Sequence, residues 1–352
     1  MCHAPLLGDR AMRQRSFRPV TIAEVAQHAG VSQATVSRVI NGNATVAAEL
    51  QARVRRAVQE LGYQPDRAAR RLRSNTSQVL GLIVSDIQNP YFTAVVRGVE
   101  DAAYAQGMAV LLCNSDGDPD KQTSYIQVLR AERAAGLIVA PTSVRDGPVL
   151  VAVRASGTPV VLLDRQIEGG VFDSVVVDNV HGAEMATLHL LALGRQRVAL
   201  IAGALDTTTG RDRLRGYLQA LEAHGVRSDP RLIKEGDFKY DAGYTLARAL
   251  LEQEPRPDAL FVANNLMTLG ALKALREAGV RIPDDIALVG FDDFPWASEL
   301  QPPLTTVAQP TYELGRTAAQ QLFERLREPD SPARTHVLQT RLMVRASCGA
   351  RL

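Results

Sequence analysis

The chain has 352 residues, 46% of them hydrophobic and 22% charged, enough for two or three domains with packed cores. No apolar run is long enough to span a membrane, and Cys2, Cys113 and Cys348 are too scattered for a disulfide framework or a zinc site, which fits a reducing cytosol. Of 40 basic and 38 acidic residues, 12 and 5 lie at or before Ser77, so a basic head precedes a mildly acidic body and points to a polyanionic partner.

Residues 1–19 carry Arg10, Arg13, Arg15 and Arg18 but no apolar stretch, so they read as a disordered leader rather than a secretory signal. Met12 is a further candidate start. Residues 20–64 read as three short helices. Thr21 and Glu24 have capping-box spacing ahead of an apolar-periodic segment that runs to about His28. Gly30 allows a tight break, and Ser32 can cap a second helix through about Ile40. Asn41-Gly42-Asn43 has turn chemistry. Leu50, Val54, Val58 and Leu61 then form one stripe of a third helix, closed by Gly62. Residues 65–77 follow as a helix too short to stand alone and a polar linker; Pro65 suits a first helical position.

From residue 78 the pattern changes. Continuous apolar, β-branched runs, such as Val79–Val84, Gly136–Ala140, Pro159–Leu163 and Ala259–Ala263, alternate with helical periodicity. Such runs imply parallel sheets covered on both faces. The expected architecture is α/β: a small all-α head followed by two doubly wound α/β lobes over 78–352. Lobe 1 is placed at about 78–179 and 309–330, and lobe 2 at about 180–308 and 331–348. The crossings would hinge a cleft beside the carboxyl ends of the strands.

The head carries the chemistry of a DNA reader. On the second helix, Gln33, Ala34, Ser37 and Arg38 fall at the start and outer face. Gln33 can pair with adenine, Arg38 with guanine, and Ala34 can touch a thymine methyl. Thr21, Ser32 and Thr35 suit phosphate contacts or helix caps. The segment from Thr21 to Asn43 resembles the helix-turn-helix of the LacI/GalR family of regulators, on Val25-Ala26, Ala29-Gly30-Val31-Ser32, Thr35-Val36-Ser37-Arg38-Val39 and Asn41. The resemblance implies that Gln33, Ala34 and Arg38 read bases. It also implies that Pro65–Arg73 is a hinge helix whose Leu72 wedges into the minor groove, with Arg70 and Arg73 beside the phosphates. Paired half-sites imply a homodimer on palindromic double-stranded operator DNA.

The body resembles the regulatory core of the same family, itself similar to periplasmic sugar-binding proteins. The resemblance rests on Ser85-Asp86 with Asn89-Pro90-Tyr91-Phe92, Asp164-Arg165, Arg213-Leu214-Arg215-Gly216-Tyr217, Asp284–Asp293 and Pro303–Val307. Asp86, Arg165, Asn264, Asn265 and Asp292 each follow an expected strand. Arg213 and Asp292 match binding positions of the family, and Phe238 matches an aromatic stacking position. Phe92 and Trp296 are further aromatic candidates. Where many relatives have Asn-Asp, this chain has Asn264-Asn265, and with Arg165 and Arg213 nearby a sugar acid joins the neutral sugars as an expected effector. Plainer roles remain: Asp86 as a helix cap, Arg213 and Asp292 as a structural ion pair, Phe92 as core.

The expected mechanism couples the effector in the cleft to the spacing of the DNA heads. An exported solute-binding protein would share the lobes but has no use for the head. An α/β enzyme is disfavoured, because no nucleophile elbow, phosphate loop, metal motif or His cluster is present. No catalytic residue, metal or cofactor is therefore expected, and the protein reads as a cytoplasmic repressor without a membrane partner.

Overall fold

The computed structural model describes residues 20–40, 46–63, 77–168 and 171–351. Asn41, the segment 65–73 with Arg70, Leu72 and Arg73, the linker to residue 76 and residues 1–19 lie outside the described residues. The chain divides between Thr76 and Ser77 into two compact units.

The first unit contains α1 (Ile22–Ala29), α2 (Gln33–Ile40) and α3 (Ala48–Leu61). Thr21 caps α1 in a complete capping box: its hydroxyl accepts from the Glu24 N–H, and the Glu24 carboxylate accepts from the Thr21 N–H at 2.6 Å. Gly30 ends α1 with φ +62°, and a Cβ there would lie 2.6 Å from the Arg53 guanidinium, which donates to Ala29 O. The turn is thus locked from α3. Val25, Ala26, Ala29, Val36, Val39, Val54 and Ala57 form the core. Val58 and Leu61 of the expected stripe pack against it only partly buried.

The second unit holds two six-stranded sheets. Lobe 1 uses β1 (Val79–Val84), β2 (Ala109–Asn114), β3 (Leu137–Val139), β4 (Val160–Leu163), β5 (Asp173–Val177) and β11 (Thr335–Leu338), in the order β11-β5-β4-β3-β1-β2. Lobe 2 uses β6 (Val198–Ala202), β7 (Ile233–Glu235), β8 (Ala259–Val262), β9 (Ala287–Phe291), β10 (Thr305–Ala308) and β12 (Arg341–Met343), in the order β12-β10-β9-β8-β6-β7. Every pairing is parallel except β10 with β12. The central strands are buried along their length, as parallel sheets with helices on both faces require.

Helices α4 (Pro90–Ala105), α5 (Pro119–Ala131) and α6 (Gly147–Ala155) serve lobe 1. Helices α7 (Asn179–Ala192), α8 (Thr208–Ala223), α9 (Tyr240–Leu251) and α10 (Asn265–Glu277) serve lobe 2. Helix α11 (Thr311–Arg327) returns to lobe 1, where Leu314, Ala318 and Leu322 share a core with Leu80, Leu82 and Val95. One expected boundary is corrected. Residues 331–338 do not belong to lobe 2, because β11 pairs with β5 from Thr335 opposite Ser174 to Leu338 opposite Val177. The last crossing lies between Leu338 and Arg341. Asp173 anchors this arrangement: buried, it accepts from the Arg325 Nε at 2.8 Å and from the Arg334 N–H at 3.0 Å. The strand is short and half-exposed, so it leaves little periodic signal.

Candidate functional site

In the head, Ser32 caps α2, accepting from the Thr35 N–H at 3.2 Å, and its hydroxyl meets the Thr35 hydroxyl at 2.9 Å. Val36 and Val39 face inward. Gln33, Ala34 and Arg38 are exposed, while Thr35 and Ser37 are half-buried. The residues expected to read bases are therefore exposed, Gln33 and Ala34 at the start of α2 and Arg38 in its last turn. Thr21 and Ser32 act as helix caps.

In the core, a cavity of about 300 Å³ opens between the lobes at the carboxyl ends of β1, β4, β6, β8 and β9. Ser85 and Asp86 follow β1, and Asn89 then caps α4, accepting from the Tyr91 N–H. Asp164 and Arg165 follow β4, Asn264 follows β8 and Asp292 follows β9. Asp164 (φ +66°), Phe238 (φ +66°) and Asp292 (φ +71°) all adopt left-handed backbone. Each costs about 1–3 kcal/mol of local strain, and such residues gather where geometry is set for a ligand. Here the turns aim side chains into the cleft that a continuing strand would direct elsewhere.

Two buried arginines face this floor. The Arg213 Nε donates to Asn179 Oδ1 at 2.8 Å and a second N–H donates to Ala263 O at 2.6 Å. Its guanidinium lies 3.7 Å from the Phe291 ring centroid, and its remaining nitrogen is 3.9 Å from Asp292. Burial pushes the Asp292 carboxyl above the ordinary carboxylate range, and Arg213 opposes that shift. Arg165 donates to Pro141 O at 3.0 Å and stands 3.4 Å from the Asp164 carboxylate, which also accepts from the Tyr91 hydroxyl at 2.7 Å. Burial lowers the Arg165 pKa and raises that of Tyr91. Phe238 places its ring 5.3 Å from the Arg165 guanidinium. Gly203 makes room for that ring: a Cβ there would fall 1.9 Å from it.

Asp86, Phe92, Arg165, Arg213, Phe238, Asn264 and Asp292 line this cavity, so the structure brings seven of the nine expected effector residues together. Two do not line it. Asn265 is buried beneath the site and donates to Asn89 Oδ1 at 2.8 Å, joining the lobes. Trp296 is 44% exposed and packs on Phe294. After Asp292, Asp293 pairs with Arg345 at 2.8 Å and Phe294 packs into the lobe 2 core, while Trp296 stands at the surface. Asn264 lines the cavity as a helix cap, with its amide donating to Phe238 O. Sequence reasoning missed Asp116, Thr142, Asp206, Thr207, Thr209, Asp237, Lys239 and Gln309, and it named Ser85, Tyr91 and Asp164 only within family-like segments, without an effector role. Asp164 and Thr207 could have been found, since each directly follows a strand or opens a helix. Gln309 could not, because nothing local marks its neighbour Asp292.

A small-residue-capped helix-turn-helix joined to a two-lobed binding core defines a ligand-responsive DNA-binding regulator. Residues 21–66 match the family described as "Bacterial regulatory proteins, lacI family", and residues 77–345 match "Periplasmic binding proteins and sugar binding domain of LacI family". The chain belongs to the lacI family of transcriptional regulators and is not an enzyme. It is 36% identical to the HTH-type transcriptional repressor PurR of Vibrio atlanticus (strain LGP32) over 327 residues, 93% of this chain and 98% of that protein. A crystal structure of the lac repressor dimer bound to operator and the anti-inducer ONPF superposes with a TM-score of 0.84 at 30% identity, covering 95% of this chain and all of that one. A transcriptional regulator CelR–cellobiose complex is 36% identical, with a TM-score of 0.71 over 94% of this chain and all of that one. No helix among the described residues is long and apolar enough to cross a membrane.

Proposed function

We propose that the protein is a cytoplasmic repressor that binds palindromic operator DNA as a homodimer and is controlled by an uncharged, hydroxyl-rich effector, a sugar or sugar derivative, bound between its lobes. One observation carries the effector reading. The cavity is lined by the hydroxyl residues Ser85, Thr142, Thr207 and Thr209, the amide residues Asn264 and Gln309 and the aromatic ring of Phe238. Groups that both donate and accept, gathered beside one ring, fit a ligand whose own groups do the same. Asp164 and Asp292 add strong acceptors for hydroxyl protons.

The charge balance favours a neutral ligand over a sugar acid. Six aspartates line the cavity against Arg165, Arg213 and Lys239, and both arginines are engaged by backbone carbonyls and carboxylates of the protein itself. The Phe238 ring favours a second reading, a flat heterocycle such as a purine base stacked upon it. The test is a selection of duplexes from a random pool, followed by operator titration with neutral sugars, sugar acids and purine bases. Sequence-selective binding shifted by a neutral sugar supports the proposal. Binding without preference for any duplex rejects it, and a shift only with sugar acids or purines replaces the effector class.

The dimer is proposed to use the outer edge of lobe 1. There β2 ends the sheet, and Leu111 and Leu112 are 40% and 43% exposed on it. An open, apolar edge strand is a surface that proteins otherwise blunt with charge. Leu112→Asp is expected to shift the purified protein from dimer to monomer in sedimentation velocity, with unchanged circular dichroism. A dimer of wild-type stability would place the interface elsewhere.

A further inference from the structure

Asp86 and Lys239 come from opposite lobes and meet at the cavity, Lys239 Nζ lying 2.6 Å from Asp86 Oδ2. The other carboxylate oxygen of Asp86 accepts from the Gln88 N–H at 3.0 Å. Each oxygen thus already accepts one hydrogen bond from the protein, although Asp86 lines the cavity. Among the described residues, Asp86 is the carboxylate that Lys239 pairs with. Asp116 is held by Lys121 and by the Asn114 amide at 2.6 Å, and Asp237 accepts from the backbone N–H of Lys239 itself at 2.8 Å.

The turn that delivers Lys239 is built for reach. Phe238 at φ +66° sends its ring toward Arg165 of lobe 1, and Lys239 next to it extends to Asp86 of the same lobe. The Asn264 amide, donating to Phe238 O at 2.9 Å, ties the turn back to lobe 2. Two consecutive side chains therefore bridge the cleft from one strained turn. Asp86 has a side chain only 14% exposed and Lys239 one 39% exposed, so the pair is partly shielded from salt.

We infer that Lys239 and Asp86 form an ionic latch that holds the two lobes closed, so that Asp86 positions the lobes rather than gripping the effector. This rests on the cleft being the effector site. The test is made on the full-length protein without effector, so the latch and the effector reading can fail separately. It reads hydrogen exchange at the Val144 and Gln166 amides. These donate across the lobes at a different contact, to Asp206 O at 2.9 Å and to Thr208 Oγ1 at 3.0 Å, and they report opening of the cleft rather than loss of local structure.

Lys239→Met is expected to speed exchange at both amides by about two- to fivefold, the range for a partly exposed ion pair. Lys239→Arg should restore slow exchange, and Asp86→Asn, which keeps the Gln88 contact, should match Lys239→Met. Raising the salt concentration should speed the wild type toward the variant and leave the variant unchanged. Exchange altered only beside residue 239, or unaltered at Val144 and Gln166 in both variants, overturns the latch.

Discussion

Arg213→Leu is expected to abolish the response to effector and to lower the thermal midpoint of the core by roughly 6–20 °C. The argument begins with burial. Arg213 is 3% exposed, yet it arises from α8 in lobe 2. Its fork spans Asn179 at the crossing after β5 and Ala263 at the end of β8, so one side chain fixes the crossing segment and the cleft floor together. Leucine leaves Asn179 Oδ1 and Ala263 O without these donors and Asp292 without its nearest cation. Breaking a buried charge pair in this way costs about 3–5 kcal/mol, and in a unit of this size each kcal/mol lowers the midpoint by about 2–4 °C.

Arg213→Lys separates charge from geometry. Lysine keeps the cation but cannot present two diverging N–H groups or lie flat over Phe291. Stability between wild type and leucine, with the effector response still lost, is the expected result. Calorimetry and operator titration read the two effects. A leucine variant that melts within a degree of wild type would show that Arg213 is not the pin described here.

Much of this was readable in the chain, for physical reasons. Buried parallel strands leave continuous apolar runs, so β1, β4, β6, β8 and β9, whose ends carry the cleft, stand out. The head was legible because cap, turn and inner face agree within twenty residues. Short edge strands were not. β7, β11 and β12 have three or four residues and incomplete burial, and β11 is fixed in lobe 1 by the distant Asp173–Arg325 pair rather than by its own pattern. The cleft was legible where a strand simply ends, as at Asp86, Asn264 and Asp292. It was illegible where a lining residue sits in a loop some way past a strand, as at Thr142 and Asp206. No local rule announces that the chain after Asp292 carries Trp296 out to the surface. Asn265 shows the same limit: its register on α10 sets it against Asn89 of the other lobe, a distance of 176 residues along the sequence.

Gln33→Ala and Arg38→Ala are each expected to weaken binding to a selected operator by roughly five- to 150-fold, the range for losing a bidentate contact to a base at about 1–3 kcal/mol. Neither change should unfold the head, because both side chains are exposed and the core rests on Val36, Val39, Val25 and Val54. Salt dependence distinguishes reading from simple attraction. Gln33 is neutral, so its loss should leave binding to random duplex and the salt slope as they were. Arg38 contacting a guanine should behave likewise, whereas Arg38 bound to a phosphate would lower the slope by about 0.9 and weaken all sequences alike. Ser32→Ala is the control for the scaffold: it removes the cap of α2, worth about 1 kcal/mol, and should lower head stability together with affinity. Fluorescence anisotropy on operator and scrambled duplex, repeated across salt concentrations, measures all three. If Gln33→Ala weakens operator and scrambled DNA equally, α2 does not read sequence at its N-terminal end.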